Sequence, residues 1–406
     1  MVEKGGYQLH TYEPVTDLCR RSFGMGSRLT EAMRRGTGAV DGFESVKLAP
    51  ADLGPRVANR LAAPFEEPYG ELDSTRAGAV DDFIAGLPSD ERSFSLLHIA
   101  LPHIFWEFMP DGSHYLSNRF TGVDSLTSPE SKDQIDSDFQ QYMLQLQFTD
   151  HELGRIVRRM KEQGTWDESL FVVTADHGAG FIPGGSRRIL EDANSGWILP
   201  VPLFIKYPGQ ETGEVVPGGA SSIDIAPTIS DVLGVDPPPG SEGTSLAGKS
   251  KLPSSAEITA HGAFGTVQMK RGMVERLRRK ATRQTNATFP GGRLFALAGH
   301  AGLLGQAPAN VKGLEPVEAI IDQAAELAEV DPSSGEIPSY VKAATPGLPA
   351  GTPVAVALNG RLVATTATWD ETASGRVVTA VNLPSGDFVE GANTVTFREI
   401  TGSARQ

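Results

Sequence analysis

Apolar and polar positions divide the chain into short buried strands, long amphipathic helices and a β-patterned end. Leu170–Gly178, LFVVTADHG, opens with four consecutive apolar residues, the signature of a parallel strand covered on both faces. It runs out at Asp176 and His177, and Gly178 then allows a sharp turn. Phe94–Leu101, FSLLHIAL, is a second such run, closed by Pro102 and His103. Val201–Tyr207, VPLFIKY, is a third, closed by Pro208–Gly209. Near the start, Gly5–Glu13 alternates as a half-buried strand does.

Helical periodicity is clearest over Asp138–Gln163. There Phe139, Tyr142, Met143, Leu146, Leu153, Ile156, Val157 and Met160 recur at a spacing of about 3.6 residues. Asp150 falls on that stripe and is expected to face inward, where a carboxylate needs partners. Gly164 is expected as the C-cap. Further helices are expected over Thr16–Arg35 and Ser222–Leu233, the latter with Asp224 and Pro227 in its first turns, and a short strand over Ser45–Leu48. Met273–Arg283 is a basic helical segment, read as a solvated face.

From Pro353 onward the period changes to two. The segments VAVALNG, RLVATTATW, RVVTAVNL and NTVTFREI are rich in β-branched residues, and Asn359–Gly360 is a hairpin turn signal. Pro, Gly and Ser cluster between Pro332 and Pro349 as in a linker. The pattern predicts an α/β domain over 1–250 with a mostly parallel sheet flanked by helices. A connecting helical and loop region over 251–337 and a small all-β module over 338–406 follow it.

Composition narrows the function. Fifty acidic against 36 basic residues give a formal charge of −14, which argues against nucleic acid as a partner. Cys19 is the single cysteine, so no intrachain disulfide forms, and its simplest role is that of a buried apolar side chain. No apolar run is long enough to span a membrane, and MVEKGGYQLH reads as neither a signal nor a transit peptide.

Candidate chemistry sits at the strand ends. Ligands in open α/β sheets bind outside the carboxyl ends of strands, where Asp176, His177 and His103 fall. Taken alone, Asp176 is equally a turn residue and His177 a loop histidine. His98, inside its strand, reads as a core histidine. Arg187 and Arg188, in the loop that follows, suit bidentate contact with an anionic oxygen, although surface arginines commonly do nothing specific. Asp224 reads as a helix-start residue.

Four segments in this order carry a family resemblance. LLHIALPHIFWEFMPDGSHY at Leu96–Tyr115, TADHG at Thr174–Gly178, VPLFIKYPG at Val201–Gly209 and SSIDIAPTISDVLGV at Ser221–Val235 resemble the second half of a sulfatase. More widely they are similar to the alkaline-phosphatase-like superfamily of sulfatases and phosphoglycerol or phosphoethanolamine transferases. The look is that of membrane-anchored, sulfatase-like proteins of actinobacterial type, which often carry a β-rich tail.

The resemblance implies sulfate or phosphate ester chemistry at a divalent metal ion, Mn, Zn or Ca. Asp176 and His177 match metal ligands, and His103 matches the histidine that contacts the transferred group or protonates the leaving oxygen. Arg187 or Arg188 stands where the family has a lysine. It also implies a location on the extracytoplasmic side of a membrane, and a sulfate or phosphate ester substrate such as a cell-envelope glycan or a lipid head group. One departure is large. The family's nucleophile and a further carboxylate ligand belong to the first half of the domain, and no C-x-P-x-R or S-x-P-x-R signature occurs. The domain is therefore expected to be N-terminally incomplete and to turn over little. The alternative is a non-catalytic scaffold whose β module binds an envelope glycan. A phosphomutase-type site would need more downstream histidines than His261 and His300, which read as loop residues.

Overall fold

The computed structural model describes residues 8–12, 76–89, 92–115, 127–252, 255–262, 265–297, 299–372 and 374–402. The helix expected over Thr16–Arg35, the strand over Ser45–Leu48 and Cys19 lie outside them. The chain divides into two compact units, Met1–Ala100 with Glu152–Asp176 and Val201–Val274, and Leu101–His151 with His177–Pro200 and Glu275–Gln406. Each unit gathers segments from both sides of the boundaries that composition suggested.

In the first unit, β1 (Gln8–Tyr12) and β2 (Ser93–Leu97) pair in parallel, Gln8 opposite Ser93. A helix over residues 76–85 buries Val80 against Ile156 and Met160, with Phe83, Ile84, Leu97, Trp166 and Phe171 around them. β4 (Phe171–Thr174) and β5 (Leu203–Lys206) are the strands expected from the LFVVT and VPLFIKY runs. They pair antiparallel to each other, Phe171 opposite Lys206, and are half-buried rather than sealed on both faces. An apolar run reports burial; it does not report the direction of its partner.

Lys206 Nζ reaches back to the carbonyl oxygens of Asp167 at 2.8 Å and Ser169 at 3.2 Å and lies over the Trp166 ring. The strand end is thereby pinned to the turn before β4. The helix Ile225–Leu233 follows a 3-10 turn capped reciprocally. Ser221 caps the turn's N-terminus while Asp224 Oδ2 accepts from Ser221 N, and Asp224 Oδ1 accepts from Thr244 N. Asp224 is thus a helix-start residue, as its position suggested. His261, expected in a loop, belongs to β6 (Glu257–Gly262), which forms a hairpin with β7 (Gly265–Lys270).

The second unit holds two four-stranded antiparallel sheets. One has the order β14–β15–β11–β9 and the other β13–β12–β16–β8. The strands concerned are β8 (Leu314–Val317), β9 (Ile320–Ile321), β11 (Tyr340–Ala344), β12 (Pro353–Leu358), β13 (Arg361–Ala367), β14 (Trp369–Glu371), β15 (Arg376–Asn382) and β16 (Val395–Ile400). β12 and β13 turn through Asn359 and Gly360 at φ 51° and 81°, the left-handed pair that a tight hairpin needs. β3 (His114–Tyr115) pairs with β10 (Glu336–Ile337) in parallel.

A long helix, Lys132–Glu162, begins in this unit and ends at Gly164 with φ 75°. Its buried face differs from the apolar stripe. Gln140, Gln141 and Gln145 are buried, while Leu146 and Asp150 are exposed. Gln140 explains the difference: its Nε2 donates to Leu294 O at 2.9 Å and Asn382 O at 3.2 Å, and its Oε1 accepts from Asn382 N at 2.8 Å. A glutamine that satisfies three backbone groups belongs in the core, which apolar counting overlooks. The helix is thereby fixed to β15, and Phe139, Phe181, Phe289, Leu294 and Val381 share one core.

Candidate functional site

The segment Pro102–Phe108 is held by Gln145 from the long helix. Gln145 is 0% exposed. Its Oε1 accepts from Glu107 N at 2.8 Å and Phe108 N at 3.4 Å, and its Nε2 donates to His103 O at 2.7 Å. One side chain thus satisfies three backbone groups that the irregular path after β2 leaves open. Beside it the buried Glu107 accepts from His114 Nε2 at 2.9 Å.

His103 is half-buried, and its Nδ1 lies 2.5 Å from Ile104 O. A carbonyl only accepts, so Nδ1 is the donor of this bond. His177 repeats this arrangement, with Nδ1 2.8 Å from Gly178 O. Both imidazoles thus donate through Nδ1 to a neighbouring backbone carbonyl. Asp176 is exposed just beyond β4 and ends a segment of the first unit, whereas His177 begins one of the second. His98 is half-buried just after β2.

Gly178 is required for a different reason from the turn expected. A Cβ built there would lie 1.9 Å from Trp197 O, and Gly178 N donates to Ile198 O at 2.8 Å. The chain passes against the short helix Ser195–Ile198, and only glycine fits. The loop that follows is tied from within. Asn194 Nδ2 donates to Ser186 O at 3.0 Å and Ile189 O at 2.8 Å, and its Oδ1 accepts from Glu191 N at 2.8 Å.

The two loop arginines part company. Arg187 is 4% exposed. Its Nη2 donates to Asp138 Oδ2 at 2.6 Å, and its guanidinium lies beside the Trp106 and Phe181 rings at 5.3 and 5.4 Å. A guanidinium buried this deeply needs a counter-charge, and Asp138 provides it. Burial pushes the Asp138 carboxyl up to about 6 against the opposing pull of Arg187. The substrate contact expected of Arg187 is corrected accordingly: it is a core ion pair. Arg188 is half-buried on the same loop. The sequence carried no sign of Asp138 or Gln145, because their partners lie 49 and 42 residues away.

Asp176 and His177 offer the oxygen and nitrogen donors that suit a divalent cation. Such ions take three or more protein ligands in most sites. Among the described residues no three His, Cys, Asp or Glu side chains gather as a metal centre. Asp176 and His177 therefore account for at most two of the ligands such an ion takes.

The sequence matches the family model "Sulfatase" over residues 37–235. Residues 37–235 are a sulfatase-family domain. His103, Asp176, His177, Arg187 and Arg188 all fall within this sulfatase-family stretch, which belongs to the alkaline-phosphatase-like superfamily. Among curated relatives, the multifunctional alkaline phosphatase superfamily protein PehA of Trinickia caryophylli is 34% identical over 96 residues, 23% of this chain and 18% of that protein. Arylsulfatase K of Bos taurus is 31% identical over 110 residues, 27% of this chain and 19% of its own length. The chain thus spans about a fifth of the length of these relatives. A solved phosphonate monoester hydrolase of Agrobacterium radiobacter is 18% identical, with 63% of this chain and 62% of that chain covered, at a TM-score of 0.37.

Proposed function

We propose that the sulfatase-family domain acts on sulfate or phosphate esters, on the extracytoplasmic side of a membrane. Asp176 and His177 are two ligands of a divalent ion, Mn, Zn or Ca, and His103 stands at the leaving-group side. The observation that carries this reading is the family match itself, since His103, Asp176 and His177 all fall within residues 37–235.

His103 would contact the transferred group or protonate the leaving oxygen, with its Nδ1–H held on Ile104 O. Gln145 keeps the backbone of that histidine in place. Arg188 provides paired N–H donors for the ester's charged oxygens. None of the 406 residues carries a family nucleophile signature, so the nucleophile is left unassigned and the proposal is tested by binding.

Inorganic phosphate and sulfate serve as probes in thermal unfolding with and without Mn²⁺. Wild type is expected to gain stability from the anion and the metal together, and Arg188→Met and His103→Gln to lose that gain. Equal anion effects in wild type and both variants would overturn the assignment.

A further inference from the structure

The helix Arg271–Thr288 stands apart electrostatically from the rest of the chain. Over residues 271–283 it carries six cations and the single carboxylate of Glu275, in a chain of net charge −14. Val274, Ala281 and Thr288 are buried on one face, at intervals of seven residues. Arg276, Arg279, Lys280 and Arg283 are exposed on the other. Their spacing of three, one and three residues places all four on one stripe of two turns, roughly 10 Å long.

These four cations are left without partners. Glu275 is taken by Arg278, whose Nη2 lies 3.0 Å from Glu275 Oε2, and Arg271 Nε donates to Ser255 O at 2.7 Å. Among the described residues, the side chains of Arg276, Arg279, Lys280 and Arg283 make no hydrogen bond or ion pair. Like charges three and four residues apart repel and weaken a helix. A merely solvated face gains nothing from this crowding, whereas an anionic partner offsets it.

We propose that this stripe docks the protein on the surface of an anionic phospholipid bilayer. A convex helix face with its cations exposed meets a plane of phosphate headgroups, whereas a linear polyanion is better held by a groove. No large apolar side chain is exposed between residues 271 and 288, so the contact is electrostatic adsorption without insertion. The acidic remainder of the chain is repelled by the same surface, which makes the docking orientation specific.

Co-sedimentation of the full chain with vesicles tests this. Wild type is expected to pellet at low ionic strength with vesicles containing roughly one third phosphatidylglycerol in phosphatidylcholine, and not with pure phosphatidylcholine. Raising salt to about 0.5 M should release it, since screening shortens the reach of surface charges. Each of the four cations replaced by Gln should weaken partitioning about fivefold, and all four together by roughly a hundredfold or more. The four-Gln variant relieves repulsion, so its unfolding transition should not fall. If the four-Gln variant does not fold, single Arg279→Gln and Arg283→Gln carry the same test. Binding that ignores lipid charge, binding unchanged by the substitutions, or capture of soluble dextran sulfate without capture of vesicles would each overturn the proposal.

Discussion

Arg187 Nη2 donates to Asp138 Oδ2 across 2.6 Å, joining the loop after the Asp-His pair to the long helix in the core of one unit. Only this one hydrogen bond closes the pair. Among the described residues Arg187 Nε and Nη1 find no acceptor, so the guanidinium is held by one edge and by its neighbouring rings. Such pairs specify geometry more than they stabilise it, because desolvation opposes the attraction.

Stability should therefore depend on pH through Asp138. Its folded pKa of about 6 lies above the ordinary 3.8, so the folded state holds this proton where the unfolded state has lost it. The contribution is complete below about pH 4 and is lost as pH rises through about 6, a change on the order of 2–3 kcal/mol. Urea unfolding of wild type and Asp138→Asn at several pH values isolates it. The difference between the two proteins should move against wild type between pH 4 and 6; a constant difference would refute the coupling.

Two glycines should respond oppositely to alanine. At Gly178 the added methyl would meet Trp197 O at 1.9 Å, so backbone must move, at a cost of about 2 kcal/mol or more. Gly154 lies exposed inside the long helix with nothing within 4 Å of its would-be Cβ. Gly154→Ala should stabilise by about 0.5–1 kcal/mol. Chemical denaturation of both variants checks the contrast, and equal effects would mean that the close approach is wrong.

Gln145→Leu should destabilise strongly without emptying the core. It strands Glu107 N, Phe108 N and His103 O together, a loss of about 2–4 kcal/mol. Gln145→Glu keeps an acceptor for Glu107 N and loses the donor to His103 O. Nitrogen chemical shifts of the His103 ring should then report a mixture of tautomers. A ring that keeps its proton on Nδ1 in Gln145→Glu would show that Gln145 does not position it.

What was legible in the sequence was local. Gly164 and Asn359–Gly360 needed positive φ, and the turns they predicted are present. The long helix announced itself by its period, although its buried face did not. Gln140 and Gln145 are in the core because each satisfies backbone groups far along the chain, and no apolar pattern encodes that. The same blindness put Asp150 inside, where it is exposed. β4 and β5 were found as strands, yet their antiparallel pairing is a relation between runs and not a property of either. Of the site, the residue types and the strand-end positions of Asp176 and His177 could be read; His103 lies in the irregular segment beyond β2, which ends at Leu97 rather than at the expected Leu101. Arg187 could not be separated from Arg188 without Asp138, which sits 49 residues away.

The central claim is that Asp176 and His177 hold a divalent cation, and metal stoichiometry measures it most directly. Equilibrium dialysis of the full chain against Mn²⁺, Zn²⁺ and Ca²⁺, with elemental analysis of the protein, is compared among wild type, Asp176→Ala, His177→Ala and the Gly154→Ala control. The account predicts one bound ion in wild type and in the control, and its loss in both ligand variants with folding intact. No ion in wild type, or an ion that persists in both variants, would contradict it.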